Sequence, residues 1–442
     1  MTTVETPDQL PAAVGRATAA PDEAGRHLRR NFLLTIGEIV AFGIGAAFFD
    51  AGTVLIAFVA TLTASTVLLG LVPTVYQMGI GLPQLAAVRF LTGRPRKVPF
   101  LIATSLFRNI PIFILAAATW TRSDPGVLLA IFFVCYALFA LGVGLESVAW
   151  LDIFARITPP ERRGQVSAIG RTAGNICSFA AGFVVARILT TEGQFPRNYA
   201  LLFLAAAVML TIAFAVFAFV HEPTESEPTE MKGTAAEPRG APDDRSLLAQ
   251  GRHIWRVDGA FRRLVGARVL YVAHLVAIPF YLQFARETVG VGDAAVGTFV
   301  SASIFGQLLA TGLWGWLSTK FGNRLVVQCS LILAALLPLY VLLTPQFPPA
   351  AFTVVYVVSG AVLAGEFIGW MNLLLGIAPA AQRPLYISLQ GALLLPANLL
   401  PLFGGVALSV IPYAVFFPII ALALAASFLL VSRIGRGVAA GV

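Results

Sequence analysis

Charged side chains are scarce in this chain of 442 residues. Asp, Glu, Lys and Arg together make up 12% of it, whereas a soluble domain has about 25%. Only three of the basic residues are lysine, at Lys97, Lys232 and Lys320. Apolar residues account for 58%, which is more than one soluble core of this length can bury. The composition therefore excludes an ordinary soluble protein and indicates a chain embedded in a membrane.

Cysteine is equally rare, and its spacing argues against a disulfide framework or a metal site. Cys135, Cys177 and Cys329 each fall inside an apolar run, with no CxxC pair, which is typical of buried single thiols. The sequence also lacks a P-loop, a dinucleotide-binding glycine pattern, an HExxH motif and a nucleophile elbow. We therefore expect no metal, no cofactor, no ATP-driven step and no enzymatic activity.

Long apolar runs fill most of the chain. A helix needs about twenty apolar residues to cross the roughly 30 Å of hydrocarbon in a bilayer. By this criterion the sequence contains twelve predicted spans, at 31–58, 64–90, 98–120, 127–151, 165–190, 198–220, 259–286, 293–318, 325–343, 351–376, 384–410 and 412–432. The predicted fold class is therefore all-α integral membrane, with about twelve transmembrane helices in two six-helix halves.

The halves are separated by a polar segment. We expect a tail, a half, a linker, a second half and a second tail, at residues 1–30, 31–220, 221–258, 259–432 and 433–442. The linker begins with Pro, Glu and small residues, which predicts disorder at 221–245. Residues 246–263 alternate apolar side chains with arginines, which predicts an amphipathic helix on the membrane surface. Residues 1–30 lack an apolar core, so the first span is expected to act as the insertion signal.

Basic residues are distributed unequally between the two sides of the predicted bundle. The side that holds both termini carries 22 of the 30 Lys and Arg residues, and the other side carries three, Arg122, Arg197 and Arg286. Because basic loops remain in the cytoplasm, both termini are expected to be cytoplasmic, in a multi-pass protein of the cell membrane. The net charge of +8 lies in these short loops, so we expect no nucleic-acid partner.

A repeat relates the halves at a fixed offset of 220 residues, which aligns 145–163 with 365–383. The identical pairs are Glu146 with Glu366, Trp150 with Trp370, Ile157 with Ile377, Pro159 with Pro379, and Arg163 with Arg383. Since each half has six spans, both halves enter the membrane with the same polarity. The repeat is therefore expected to be parallel, with its axis along the membrane normal.

A weaker correspondence aligns the basic turn at 88–97 with that at 315–324. Two six-helix halves, a long linker and basic turns after spans two and eight resemble the major facilitator superfamily. Its turn pattern is matched in the second half by Gly315, Leu317, Lys320, Gly322 and Arg324. The first-half copy is poorer, since only Arg96 and Lys97 hold the basic end, and Arg94 is a further basic residue of that turn. Thr92 and Thr319 occupy the positions where an acid is expected, which weakens the usual charge lock. Residues 159–164 also resemble the loop after span four of that family.

Several ionisable side chains fall inside the predicted spans, where each charge costs roughly 3 kcal/mol or more. They are Glu38, Asp50, Arg108, Glu146, Arg171, Arg268, His274 and Glu366. The resemblance implies that spans 1, 4, 7 and 10 line a central cavity, which places most of these residues on lining helices. Trp150 and Trp370 share a helix face with the repeated glutamates, four residues away.

More than one role is open to these residues. The repeated glutamates either pair with Arg171 and Arg268 to hold the cytoplasmic gate, or take part in proton coupling and substrate contact. By depth along the membrane normal, Arg171 is expected to bridge Glu38 and Glu146, and Glu366 is expected to be the proton-responsive acid. Arg108 is expected either to form a structural pair or to snorkel. His274 is either an interhelical hydrogen-bonding group or a protonatable cavity group. Asp50 either faces the cavity or caps the bend at 51–53.

These observations predict a monomeric secondary transporter that moves a small organic solute by alternating access. The excess of acids on the expected lining helices favours proton-coupled efflux of neutral or cationic compounds. The alternatives are a proton-coupled importer of sugars or metabolites, and a non-transporting membrane receptor or assembly factor on the same scaffold.

Overall fold

The computed structural model describes residues 21–91, 97–190, 194–221, 244–379 and 382–435. Within these ranges, twelve helices are long and apolar enough to cross a membrane. Numbered as spans 1 to 12, they are His27–Phe48, Thr66–Pro83, Val98–Thr121, Pro125–Ile157, Pro160–Leu189, Arg197–Ala218, Gly259–Val289, Ala294–Phe321, Asn323–Gln346, Pro349–Ile377, Arg383–Leu408 and Tyr413–Ser432. Since twelve is even, span 1 begins and span 12 ends at the same face of the bundle. We call it the terminal face, and the opposite one the distal face.

The two halves pack the same pairs of helices. Span 1 packs on span 6 as span 7 packs on span 12, and span 2 packs on span 4 as span 8 packs on span 10. The repeated glutamates also lie at matching depths. Glu146 and Glu366 each lie eleven residues before the end of their span, at Ile157 and Ile377. This packing agrees with the sequence repeat.

The halves meet mainly near the distal face. Span 2 packs against span 11 there, and Thr66 Oγ1 donates to the Gly405 carbonyl at 2.7 Å. Span 5 packs against span 8 so closely that a Cβ on Gly297 would lie 2.1 Å from the Ala186 nitrogen. Toward the terminal face the cavity-lining residue Leu151 is 60% exposed. The bundle is therefore closed on the distal side and open on the terminal side.

The predicted first span, 31–58, was wrong at its distal end. Span 1 ends at Phe48, and a separate helix, Val54–Leu62, follows it. The run remains apolar beyond Asp50, so hydropathy alone does not show the break. The chain turns because Asp50 Oδ1 accepts hydrogen bonds from Gly52 N at 3.1 Å and Thr53 Oγ1 at 2.6 Å.

Span 5 also begins earlier than predicted. Helix formation starts at Pro160 and continues to Leu189, so most of the segment 159–164 is the first helical turn rather than a loop. Proline is well suited to that position, because its missing N–H is one that a helix start leaves unpaired in any case.

Specific side chains fix other helix ends. Asp124 accepts from Val127 N at 2.8 Å at the start of span 4, and Asp258 accepts from Phe261 N at 2.9 Å at the start of span 7. Before span 7 lies a helix at Asp244–Val257, in which Ile254 is buried and Trp255 is 40% exposed. Linker residues 222–243 lie outside the described ranges.

Candidate functional site

A central cavity of about 710 Å³ lies between the halves. Most of its lining comes from spans 1, 3, 4 and 5, and the second half contributes Ile304, Gln307 and Phe367. The cavity extends from Asp50, just beyond the distal end of span 1, to Phe154, close to the terminal end of span 4. It therefore reaches deep into the bundle from the terminal side.

The innermost charges form an ion pair between spans 3 and 4. Arg108 Nη1 lies 2.7 Å from Glu146 Oε2, and their side chains are 3% and 12% exposed. Ser105 Oγ donates to Glu146 Oε1 at 3.0 Å. Arg108 Nε also donates to Asn109 Oδ1 at 2.9 Å. Of the two roles expected for Arg108, the structure shows the structural pair.

The predicted bridge from Arg171 to Glu38 and Glu146 was wrong. The guanidinium of Arg171 lies 5.5 Å from the ring centroid of Phe367, across the cavity in span 10. Arg108 forms the ion pair with Glu146 instead. Residue counting places Arg171 at a suitable depth, but it does not determine the direction in which the residue leaves span 5. The side chain is directed at the second half of the molecule.

Glu38 has a different environment from Glu146. It is 9% exposed, and Trp150 Nε1 donates to its Oε2 at 3.1 Å. Within the described part of the chain, no Lys or Arg forms an ion pair with it. Glu38 and Trp150 both line the cavity, so this carboxylate faces the solute pathway without a cation of its own.

Asp50 has both of the roles considered for it. Its Oδ1 caps the bend at 51–53 through Gly52 and Thr53, and the residue also lines the cavity. It therefore lies where the cavity meets the start of the Val54–Leu62 helix.

The second half contains a corresponding cluster that is more exposed, with side-chain exposures of 21% for Arg268 and 20% for Glu366. Arg268 Nη2 lies 2.7 Å from Glu366 Oε1, as expected, and Tyr271 Oη donates to Glu366 Oε2 at 3.2 Å. The Arg268 guanidinium also lies 5.2 Å from the ring centroid of Trp370. None of Arg268, Glu366 or Trp370 is among the cavity-lining residues.

His274 lies outside the cavity. It is 2% exposed beside the ring of Tyr271, at 5.9 Å between centroids, and it is not among the residues that line the cavity. Its Nδ1 has no hydrogen-bond partner among the described side chains and backbone groups.

The repeat thus keeps its acids and tryptophans but not its cations. In the first half the cation comes from span 3 and in the second from span 7. The 220-residue offset does not pair Arg108 with Arg268, so the sequence shows that the cations are not repeated, but it did not predict that Arg108 is the partner of Glu146. Sequence reasoning also missed the phenylalanines of the lining, which are Phe42, Phe154 and Phe367.

An ion-pair cluster lies at the first basic turn. Asp152, near the end of span 4, pairs with Lys97 and, at 3.0 Å, with Arg156. Thr92 stands where an acid is expected, and here Asp152 supplies one from a different helix. Arg94 and Arg96 lie outside the described residues. Arg163 donates to the carbonyls of Thr158 and Ala155, and so caps the end of span 4.

The second basic turn is held differently. Gly322 ends span 8 with φ of +86°, which glycine adopts without strain. Lys320 lies 5.2 Å from the Trp316 ring centroid, and Arg324 donates to the Ser432 carbonyl of span 12. A Cβ on Gly315 would meet no atom of the described residues within 4 Å. Arg383 begins span 11 and is exposed.

Comparison with known proteins decides the family. A family model described as MFS/sugar transport protein matches residues 89–374. The chain belongs to this family of the major facilitator superfamily. Uncharacterised proteins of Mycobacterium tuberculosis and Mycobacterium bovis are 26% identical over 333 residues, which is 72% of this chain and 61% of theirs. The chain thus spans about three fifths of the length of the curated relatives it matches.

Solved structures of transporters share the fold. A D-xylose-proton symporter superposes with a TM-score of 0.65 at 14% identity, over 93% of this chain and 98% of that one. A peptide transporter POT in complex with sulfate superposes with a TM-score of 0.63 at 16% identity, over 94% of this chain and 96% of that one. The third is a bacterial homologue of the human lysosomal transporter Spinster in an inward-facing and unoccupied conformation. It superposes with a TM-score of 0.55 at 12% identity, over 95% of this chain and 97% of that one. Family and fold together place the chain among the multi-pass membrane proteins of the major facilitator superfamily.

Proposed function

We propose that this facilitator protein is a proton-coupled transporter that exports a small, neutral or cationic organic solute by alternating access. The observation that supports it most directly is Glu38. Its carboxylate lies in the cavity with one tryptophan hydrogen bond and no ion-pair partner among the described residues. A charged group at membrane depth that lacks a counter-ion is the group most readily neutralised by a proton or by a cationic solute.

The other cavity charges are already engaged. Arg108 neutralises Glu146, and hydrogen bonds from Gly52 and Thr53 hold Asp50. Arg171 lies over the exposed ring of Phe367. The unpaired carboxylate therefore sets the preference of the site, and aromatic faces beside it suit a planar or lipophilic cation.

Glu366 is the weaker candidate for the proton-responsive acid, although the sequence favoured it. It accepts from both Arg268 and Tyr271 and lies outside the cavity lining. Its charge is thus balanced within the second half. We assign proton coupling to Glu38 and a structural role to the Arg268–Glu366 pair.

The direction of opening agrees with export. The excess of basic residues at the terminal face predicts that this face is cytoplasmic, so the open cavity admits solute from the cytoplasm. A proton that binds Glu38 from outside would release the solute, and loss of that proton inside would reset the site. We propose a monomer in the cell membrane as the working unit.

Flux in proteoliposomes tests the proposal. Purified protein is reconstituted with an imposed pH gradient, and movement of tetraphenylphosphonium is followed as the cationic probe. We expect gradient-driven flux in the natural chain and its loss in Glu38→Gln, while gradient-free exchange of the probe persists. Glu161→Gln is the matched control, because Glu161 is exposed at the start of span 5 and outside the cavity. Equal dependence on the gradient in Glu38→Gln would contradict the assignment.

A sugar carrier is the second candidate. The family description names sugar transport, and one structural neighbour is a D-xylose-proton symporter. The lining also has hydroxyl and amide groups able to bind a sugar, on Ser147, Ser167, Asn175, Ser178 and Gln307. Labelled D-xylose in the same liposomes distinguishes the sugar carrier from the cation exporter. A sugar carrier transports D-xylose in response to the gradient and does not transport tetraphenylphosphonium. If neither probe nor a wider solute panel moves, the non-transporting receptor is favoured.

A further inference from the structure

The helix Val54–Leu62 is buried to an unusual degree for a connection between two spans. All six residues from Val54 to Val59 are 0% exposed. The helix contacts spans 2 and 4 of the first half and spans 7 and 8 of the second. It is therefore inserted between the halves at the distal face, where an outward-open state must separate them.

The helix is anchored to the first half by apolar contacts. The ring of Phe58 lies 5.7 Å from that of Phe132 in span 4, and 5.2 and 5.1 Å from those of Tyr199 and Phe203 in span 6. All these rings belong to the first half, so their buried contacts are expected to stay intact when the halves separate. The helix is thus expected to move with the first half.

Besides its packing on spans 7 and 8, the helix receives side-chain hydrogen bonds from an arginine of the second half. Arg286, in the π-helical turn Ala285–Val289 that ends span 7, donates to the Ala57 carbonyl at 3.2 Å and to Thr61 Oγ1 at 3.4 Å. It also pairs with Asp293 within its own half. When the halves part, Arg286 loses the helix but keeps Asp293, so it is not left without a partner. That arrangement makes the contact reversible.

At its other end the helix is tied to the cavity. Asp50 Oδ1 holds Gly52 and Thr53 immediately before the first helical residue, and Asp50 itself lines the cavity. The same side chain therefore lines the cavity and fixes the start of the helix.

We propose that the Val54–Leu62 helix is the distal gate of the transporter, that Arg286 is its latch, and that Asp50 is the positioning residue that connects it to the cavity. The latch contacts neither the cavity nor Glu38, so its loss would leave the proton coupling assigned to Glu38 unaffected.

Thiol accessibility without any ligand tests the latch. Val59→Cys is introduced into a chain whose Cys135, Cys177 and Cys329 are replaced by alanine, and maleimide labelling is timed in nanodiscs, where both faces are open to the reagent. We expect slow labelling with the latch intact and labelling about tenfold faster in Arg286→Gln, the worth of one charge-assisted hydrogen bond. Arg286→Lys should fall between the two.

Arg197→Gln is the matched control, because Arg197 is another distal arginine whose ring contact, with Trp120, stays within the first half. Labelling of Val327→Cys, buried in span 9, reports global unfolding. If Arg286→Gln accelerates labelling of both cysteines, the variant has unfolded the protein, and the milder Thr61→Val is used in its place. Thr61→Val removes only one acceptor of Arg286 and should accelerate labelling of Val59→Cys alone. If neither variant labels Val59→Cys faster than Arg197→Gln does, the latch is wrong.

The role of Asp50 is tested with the same reporter. Thr53→Val removes the hinge hydrogen bond at a side chain that is 2% exposed and not in the cavity lining, and should accelerate labelling several-fold. Asp50→Ala should do the same, and Asp50→Asn, which keeps an acceptor oxygen, should remain closer to the natural chain. Equal rates in the Ala and Asn variants would overturn the positioning role.

Discussion

Arg108 and Glu146 form the most enclosed ion pair of the site, at 3% and 12% side-chain exposure. A buried pair of this kind contributes little beyond its own desolvation cost, but loss of one partner leaves an uncompensated charge. Arg171 presents the opposite case at the same cavity, since its guanidinium lies over a ring and forms no ion pair with the described acids. The two arginines therefore differ in what their removal costs.

We predict that Arg108→Ala destabilises the protein by about 3–5 kcal/mol, whereas Arg171→Ala stays within about 0.5 kcal/mol. The measurement is the thermal unfolding midpoint of the detergent-solubilised protein. Arg108→Leu combined with Glu146→Leu should recover much of the loss, because it removes both charges together. An Arg171→Ala midpoint as low as that of Arg108→Ala would show that Arg171 carries the pairing after all.

At the scale of elements, glycines set how closely the halves approach. Gly297 of span 8 lies against the backbone of Ala186 in span 5, where a Cβ would be 2.1 Å from the nitrogen. Gly312 lies in the same span, where a Cβ would meet no atom of the described residues within 4 Å. Span 8 therefore contains one glycine in close contact with span 5 and one, nearer the terminal face, with room for a methyl group.

Gly297→Ala is expected to force spans 5 and 8 apart and to cost about 1–3 kcal/mol. Gly312→Ala should be neutral or stabilise by up to about 1 kcal/mol, since alanine is the better helix former. Spin labels at Thr121 and Gln346, exposed at the distal ends of spans 3 and 9, report the separation of the halves. A longer distance in Gly297→Ala alone is the expected result, and identical distances in both variants would argue against the tight seam.

For the whole molecule, the open prediction is its orientation in the membrane. Basic residues cluster at the terminal face, so this face is expected to be cytoplasmic. Single cysteines at Arg122 and Arg197 should react with an impermeant maleimide added to intact cells, while cysteines at Arg163, Lys320 and Arg383 should react only after permeabilisation. The reverse pattern would invert the topology and turn the proposed exporter into an importer.

The number of spans and the two six-helix halves followed from the sequence alone. These properties depend on the length of apolar runs and on a constant rise along a helix, so residue counting suffices. The pairing of Arg268 with Glu366 was anticipated for the same reason. The break after Asp50 was not, because Val54–Leu62 is as apolar as a membrane span and is buried by protein instead of lipid.

Tertiary structure alone decided which side chains meet. Arg108 and Arg171 are both charged, both deep and both in the first half, yet only Arg108 reaches Glu146. Neighbouring helical residues differ by about 100° in direction, since a turn holds 3.6 residues, and the packing of whole helices sets the rotation of each one about its axis. That rotation places Glu38 in the cavity without an ion-pair partner among the described residues, and it brings Arg286 onto the Val54–Leu62 helix.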